Sequence, residues 1–356
     1  MGIRQLSLTN FRGLKSTTLD FHPHINLITG GNGSGKTSLL ESINVIAQAC
    51  SFQTHRLKNC ISHSEQQLLL FAKFEDYKVG LSKSISKLDI KIDGEAVKKR
   101  SILVKKTPSS IINSDSFELI TGSPSLRRSF IDWGLFHVEH EYASYYTQFK
   151  YALKQRNAIL KSRKDINMIE YWDSYLIEPS LVIQGLRKKY SKIIAGILNT
   201  ELRELLGEVE LEFNYEQGWP AGELLKNSMK ASKKRDIKSG FTNCGIHRDN
   251  LVLTTNGKPV SQVLSRGQLK RLCIALQITL LNIVKKSRTG PIILLVDDIA
   301  SELDQNSQKL VFKYLFELDV QLFITNIDTT TPKPLLNKEF KMFHVEHGII
   351  SARKNS

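Results

Sequence analysis

The residues best able to do chemistry lie together in Gly30-Gly31-Asn32-Gly33-Ser34-Gly35-Lys36-Thr37, directly after the apolar run Ile25-Asn26-Leu27-Ile28-Thr29. A strand, then G-x-x-x-x-G-K-T, then a helical pattern from Ser38 to Ile43 is the arrangement of a phosphate-binding P-loop. Glycines at 30, 31, 33 and 35 free the backbone so that successive N–H groups converge on phosphate oxygens. The following helix adds its N-terminal N–H groups and the positive end of its dipole. Lys36 is placed for the β- and γ-phosphates and Thr37 for a Mg2+ ion. The predicted nucleotide set is therefore Gly30, Gly31, Asn32, Gly33, Ser34, Gly35, Lys36 and Thr37, with ATP and Mg2+ as cofactors.

Two later stretches supply partners for that chemistry. Ile292 to Val296 is a continuous apolar run of the kind a parallel strand buried on both faces requires, and it ends in Asp297-Asp298. A carboxylate at the carboxyl end of such a strand lies beside a P-loop, so Asp297 is the predicted metal ligand and Asp298 the residue that polarises an attacking water. Leu264-Ser265-Arg266-Gly267-Gln268 precedes an amphipathic helix carrying Leu269, Leu272, Cys273, Leu276 and Leu280 on one stripe. Ser265 there is either a plain N-cap or, with Gly267, part of an anion site at an exposed helix start.

The elements that must position these groups follow from the pattern of the chain. At 356 residues two lobes are expected. Short alternating stretches between 66 and 106, with a hairpin turn at Asp93-Gly94, predict an antiparallel sheet beside the nucleotide-binding core. From about 122 to 240 long helical patterns take over. Tyr142, Tyr145, Tyr146, Phe149, Leu153 and Leu160 keep an i, i+3, i+4, i+7 spacing that reads as core. Lys230 to Arg235 sits in a Lys/Ser-rich stretch that reads as a mobile linker.

Composition narrows the partners. With 50 Lys and Arg against 35 Asp and Glu, the formal net charge of +15 favours a polyanion. Lys150, Lys154 and Lys161 line one helical stripe in a segment, 142–164, that holds no acid. Lys98, Lys99 and Arg100 form a second basic cluster. Both are candidate DNA contacts, although a charge cluster is equally the mark of a solvated face. Four cysteines without paired spacing suit reduced thiols in a cytoplasmic protein. Neither a signal-peptide pattern nor an apolar run of membrane-spanning length is present in the sequence. His-Val-Glu-His occurs at 137–140 and again at 344–347, without the shared geometry or third ligand a metal site needs.

P-loop, L-S-x-G-Q, an apolar strand ending in two acids, and Ser301-Glu302-Leu303-Asp304, in that order, resemble the motif set of ABC-type ATPases. The chain between Lys36 and Ser265 is far too short for the long coiled coil of SMC proteins. Across nearly its whole length the sequence is similar to the RecF family of bacterial recombination and repair ATPases. The similarity rests on Asn10-Phe11-Arg12-Gly13, Gly122 to Trp133 with its Pro-x-x-Arg-Arg-x-Phe-Ile-Asp segment, Gln155-Arg156-Asn157, Gly245 to Asp249, Ser265 to Gln268 and Asp297 to Asp304.

The resemblance implies an α/β fold: an ABC-type P-loop ATPase lobe at 1–121 and 241–356, with a mixed parallel sheet and an antiparallel β subdomain, and an inserted helical lobe at 122–240. It implies a slow ATPase that binds duplex, gapped or single-stranded DNA and dimerises on ATP. It further implies action with RecO and RecR to load RecA, in fork maintenance and in the SOS response, in the bacterial cytoplasm at the nucleoid. Arg12 would join the nucleotide set, Ser265 and Gly267 would act in trans on the partner copy's γ-phosphate, and Asp304 would line the same interface. Ile246, Asn250 and Ser114 depart from the family pattern, and Asn326 stands where other ABC-type ATPases place a histidine. Two other readings use the same motifs: an ABC subunit driving a membrane transporter, or an ATPase joined to an OLD-type nuclease.

Overall fold

The computed structural model describes residues 2–207, 209–299, 303–327, 335 and 338–353. The chain divides into two compact units, Met1–Ser116 with Arg288–Ser356, and Phe117–Ser287. Residues 241–287, which the sequence groups with the ATPase lobe, thus lie in the second unit.

The first unit begins with β1 (Ile3–Thr9), β2 (Thr17–Asp20) and β3 (Ile25–Thr29), followed by α1 (Lys36–Gln48). Next come β4 (Gln67–Phe74), β5 (Lys78–Ser84), β6 (Leu88–Ile92), β7 (Glu95–Ala96), α2 (Arg100–Lys106) and β8 (Ser109–Ile112). Strands β2-β1-β4-β5-β6-β7 make the antiparallel sheet expected from the alternating stretches. Residues of β4 alternate between exposed and buried, because one face of this sheet meets water. Asp93 and Gly94 close the last hairpin with φ of 51° and 88°, the paired positive values of a type I′ turn.

The second unit holds α3 (Glu118–Thr121), α4 (Pro124–Val138), α5 (Tyr142–Ser162), α6 (Ile169–Thr200) and α7 (Arg203–Leu206). It continues with β9 (Glu212–Glu216), α8 (Leu225–Ser239), β10 (Asn250–Thr255), β11 (Lys258–Pro259), α9 (Val260–Val263) and α10 (Arg266–Lys286). Helices α5 and α6 pack as a hairpin, and β11-β10-β9 form a small antiparallel sheet. Residues 230–235 are helix α8, not a linker: Leu225 and Met229 bury one stripe, and the lysines occupy the other. On α5 the aromatic stripe is core as expected, with Tyr142, Phe149 and Leu160 all buried.

The chain then returns to the first unit with β12 (Ile293–Val296), α11 (Gln305–Glu317), β13 (Gln321–Asn326), β14 (Lys341–Glu346) and β15 (Ile349–Arg353). These complete a second sheet, ordered β15-β14-β3-β13-β12-β8, in which only β15 runs antiparallel to its neighbour. Strands β3 and β12 are buried along their whole length, as the unbroken apolar run of β12 requires, while the buried Asn26 and Thr29 of β3 donate to the His22 and Phe343 carbonyls. Helix α1 contacts β4 and β5 of one sheet and β8 and β13 of the other. This placement between two sheets explains why almost every residue of α1, polar ones included, is buried.

Candidate active site

The P-loop leaves the carboxyl end of β3. Gly30 has φ 153°, and a Cβ there would lie 2.3 Å from the Val345 carbonyl oxygen, so this turn admits only glycine. Gly35, at φ 115°, is the N-cap of α1. Gly31 differs from the expectation: its backbone is not left-handed and the space around its Cβ position is open. No side chain caps α1, which leaves the N–H groups of its first turn available to an anion. The Ser34 hydroxyl is buried without a hydrogen-bond partner. Lys36 is buried, and its Nζ donates to the carbonyls of Gly30 at 2.8 Å and Gly31 at 2.9 Å. The ammonium therefore lies within its own loop, held only by neutral acceptors that an anion can replace.

Asp297 follows β12, its N–H bonded to the Ile112 carbonyl of β8 at 2.8 Å. Burial pushes its carboxyl above the usual range, hydrogen bonds from Thr325 and Thr37 pull the other way, and the charge of Asp298 again raises it. The Thr37 hydroxyl and the Lys36 ammonium are thus near enough to the Asp297 carboxylate to act on it. Two oxygen donors, one in the first turn of α1 and one directly after β12, with a second carboxylate adjacent, form a set suited to a hard divalent cation. Asp298 takes a positive φ of 52°, and its N–H donates to the Thr325 hydroxyl at 2.8 Å. Thr325 was not singled out in the sequence. It lies on β13 between β3 and β12, and a threonine near a strand end gives no signal of its own.

Arg12 is engaged elsewhere than expected. Its Nε and Nη2 donate to the buried Glu41 of α1 at 2.5 and 2.8 Å, and Glu41 also accepts from Ser51 and from the Cys60 thiol. The Asn-Phe-Arg-Gly loop is thereby tied to the helix that follows the P-loop. Glu41 is a further residue the sequence did not mark, since a glutamate on an amphipathic helix reads as surface.

In the second unit Ser265 caps α10 in a reciprocal capping box: its Oγ accepts from Gln268 N at 3.3 Å, and its N–H donates to Gln268 Oε1 at 2.8 Å. The space around the Cβ position of Gly267 is open. Asp304 caps α11, accepting from Asn306 N and Ser307 N at 3.0 and 2.9 Å. Ser301 and Glu302 lie outside the described residues.

The more specific motif segments prove to be the polar core of the second unit. Buried Arg187 pairs side-on with Asp132 (Nε–Oδ1 2.9 Å, Nη2–Oδ2 2.8 Å), and its Nη1 reaches Asp249 at 2.9 Å and the Ile246 carbonyl at 2.7 Å. Burial opposes the charge, but Asp132 and Asp249 outweigh it and hold this guanidinium above its usual range. Buried Arg156 bridges Asp173 at 2.5 Å, Asp236 at 2.8 Å and Thr242 at 2.8 Å, while Asn157 accepts from Thr242. Arg187 therefore belongs to the interior, while its chain neighbours Lys188 and Lys189 are exposed. Asn250, the departure from an acid, accepts from Arg127 through one oxygen at 3.1 and 3.0 Å.

Among the predicted DNA contacts, Lys154 and Lys161 are exposed on α5, and exposed Lys150 lies over the Tyr146 ring at 4.8 Å. Lys98 and Lys99 are exposed ahead of α2, whereas Arg100 Nε donates to the Gln48 carbonyl at the end of α1 at 2.5 Å. His137 closes α4 between Trp133 and Phe136, and His344 meets Thr29 at 3.2 Å. No cluster of three metal-ligating side chains occurs among the described residues. Among them, too, no helix is long and apolar enough to cross a membrane.

Comparison with known proteins agrees with this geometry. The family model described as RecF/RecN/SMC N terminal domain matches residues 2–351. The DNA replication and repair protein RecF of Shewanella sediminis (strain HAW-EB3) is 36% identical over 361 positions, covering 99% of each chain. A solved structure of the recombination mediator protein RecF with ATP, from the RecFOR pathway, superposes with a TM-score of 0.87 at 25% identity, covering 99% of this chain and 98% of that one. An Smc head bound to the C-winged helix domain of ScpA shares the fold at TM-score 0.58 and 15% identity, covering 99% of this chain and 97% of that one. Motif order, mixed sheet, helical unit and these likenesses agree, and the chain belongs to the RecF family of DNA replication and repair proteins.

Proposed function

We propose that this protein is an ATP-driven DNA-binding switch of recombinational repair. The observation that carries the reading is the meeting of Lys36, Thr37, Asp297 and Asp298 where β3 and β12 end. On this reading Lys36 leaves the Gly30 and Gly31 carbonyls for the β- and γ-phosphates, while the N–H groups from Gly31 to Thr37 line the rest of the triphosphate. Thr37 and Asp297 would hold Mg2+, which would neutralise phosphate charge. Asp298 orients the attacking water and accepts its proton. Arg12 exchanges part of its Glu41 contact for phosphate.

The Ser265 hydroxyl and Gly267 N–H of a second copy complete the site, so two copies close only while the γ-phosphate is present. Asp304 lines that closed interface. Exposed Lys150, Lys154 and Lys161, with Lys98 and Lys99, bind DNA phosphates in the closed dimer, and slow hydrolysis releases it. The RecFOR context of the ATP-bound relative supports RecO and RecR as partners, with RecA loading at gaps as the outcome. Fork maintenance and the SOS response would then draw on the same switch, in the bacterial cytoplasm at the nucleoid.

The test is light scattering with and without ATP. Lys36→Met is expected to stay monomeric in ATP, and Asp298→Asn to form a dimer that persists. If both variants dimerise to the same extent as the unaltered protein, the switch is wrong.

A further inference from the structure

Four aromatic rings meet at the surface of the α5–α6 hairpin. From the first turns of α6, Tyr171 approaches Trp172 at 5.3 Å and Tyr175 at 4.9 Å between ring centroids, and Trp172 lies 5.7 Å from Tyr175. Tyr151 of α5 joins them, 5.7 Å from Trp172. Tyr151, Tyr171 and Tyr175 are 58%, 48% and 52% exposed, so these are not core rings that happen to reach the surface. Clusters of large exposed aromatics are uncommon on a protein that needs them only for packing.

The charge around the rings is positive. Both acids beside Trp172 are paired, Asp173 with buried Arg156 at 2.5 Å and Glu170 with Lys233 of α8 at 2.8 Å, while Glu178 stands one turn beyond Tyr175. Lys154 lies one helical turn from Tyr151 on the same face, and Lys161, Arg163 and Lys164 follow in a stretch without acids. The complement to such a surface is a polyanion with flat π faces of its own. A duplex keeps its bases stacked inside, so only unpaired nucleotides can offer those faces.

We propose that Tyr151, Tyr171, Trp172 and Tyr175 form a stacking platform for the bases of single-stranded nucleic acid, with Lys154 beside it for the phosphates. The proposal rests on the DNA-binding reading above and deepens it: the basic face takes phosphates of any strand, and the platform adds a preference for unpaired bases. Stacking reads the π face and not base identity, so the preference is for strandedness and not for sequence.

The experiment titrates the full-length protein with oligo-dT and with a duplex of equal length, with and without ATP, by fluorescence anisotropy. Tyr171→Ala/Tyr175→Ala is expected to weaken oligo-dT binding by about tenfold or more and to leave duplex affinity within about twofold. In parallel, intrinsic fluorescence reports the platform without disturbing it, because the protein has 3 tryptophans and one of them is Trp172. Oligo-dT should quench the unaltered protein, and Trp172→Phe should abolish that quench. Equal losses on both DNA forms overturn the platform, as does an absent quench with unaltered oligo-dT affinity, which returns the cluster to contact with a protein. Duplex binding that survives such a failure leaves the ATP switch standing, whereas absence of binding to either form ends both.

Discussion

The Thr325 hydroxyl donates to Oδ1 of Asp297 at 2.8 Å and accepts the N–H of Asp298, also at 2.8 Å. One side chain on the strand between β3 and β12 therefore fixes both acids after β12. Thr325→Val keeps the shape and removes both bonds, leaving a half-buried carboxylate and N–H without their partner, at a cost of about 1–3 kcal/mol. ATP turnover is expected to fall along with the melting temperature, and Thr325→Ser is expected to restore turnover. Phosphate-release assays decide the matter: a valine variant that hydrolyses ATP at the unaltered rate means Thr325 does not position the acids.

Arg187 joins Asp132 and Asp249 in the interior of the second unit, at separations of 55 and 62 residues along the chain. Removing one member of a buried pair strands the other, so Arg187→Met is expected to destabilise this unit by about 3–5 kcal/mol in urea denaturation. Arg187→Lys should rescue little, because an ammonium cannot make the paired side-on contact with Asp132 while reaching Asp249. Near-full rescue by lysine would show that charge alone is required there.

Burial lowers the His247 pKa from 6.5 to about 4; its Nε2 bond to the Thr242 carbonyl only partly offsets this, and Arg248, Arg128 and Arg156 add to the lowering. Above pH 6.5 the ring is neutral in both folded and unfolded chains. Between 6.5 and about 4 the unfolded chain takes up a proton that the folded one refuses, so stability falls as pH falls, in total by on the order of 3 kcal/mol. A His247→Gln variant should lose most of that slope. Melting temperatures measured from pH 7 to pH 4 test it, and an unchanged slope in the variant assigns the acid sensitivity to other groups.

The thiols should divide sharply in reactivity. Burial raises Cys60 to about 12, with Glu41 adding to the effect, and burial likewise raises Cys244 to about 11 and Cys273 to about 12. Cys50 is only half-buried. Ellman's reagent at pH 8 is expected to modify Cys50 quickly in the folded protein and the other three only on unfolding, since the thiolate is the nucleophile. Rapid reaction of Cys60 would mean that the loop bearing Arg12 opens readily away from Glu41.

What the sequence determined on its own is what local chemistry dictates. The P-loop glycines, the apolar run that ends in Asp297-Asp298, the Ser265 cap and the hairpin at Asp93-Gly94 are all short-range patterns, because one strand end, helix start or turn admits few residue types. Tertiary structure alone decided which charges went inside. Nothing local to Arg156 or Arg187 marks either as an interior charge, yet both are buried, since their acids arrive from segments distant in sequence and repay the loss of water only once those segments have packed. Arg12 against Glu41 and Thr325 between the two acids follow the same rule. Tyr142 and Tyr151 show its converse: both sit on α5, but packing against the rest of the second unit buries the first and leaves the second at the surface.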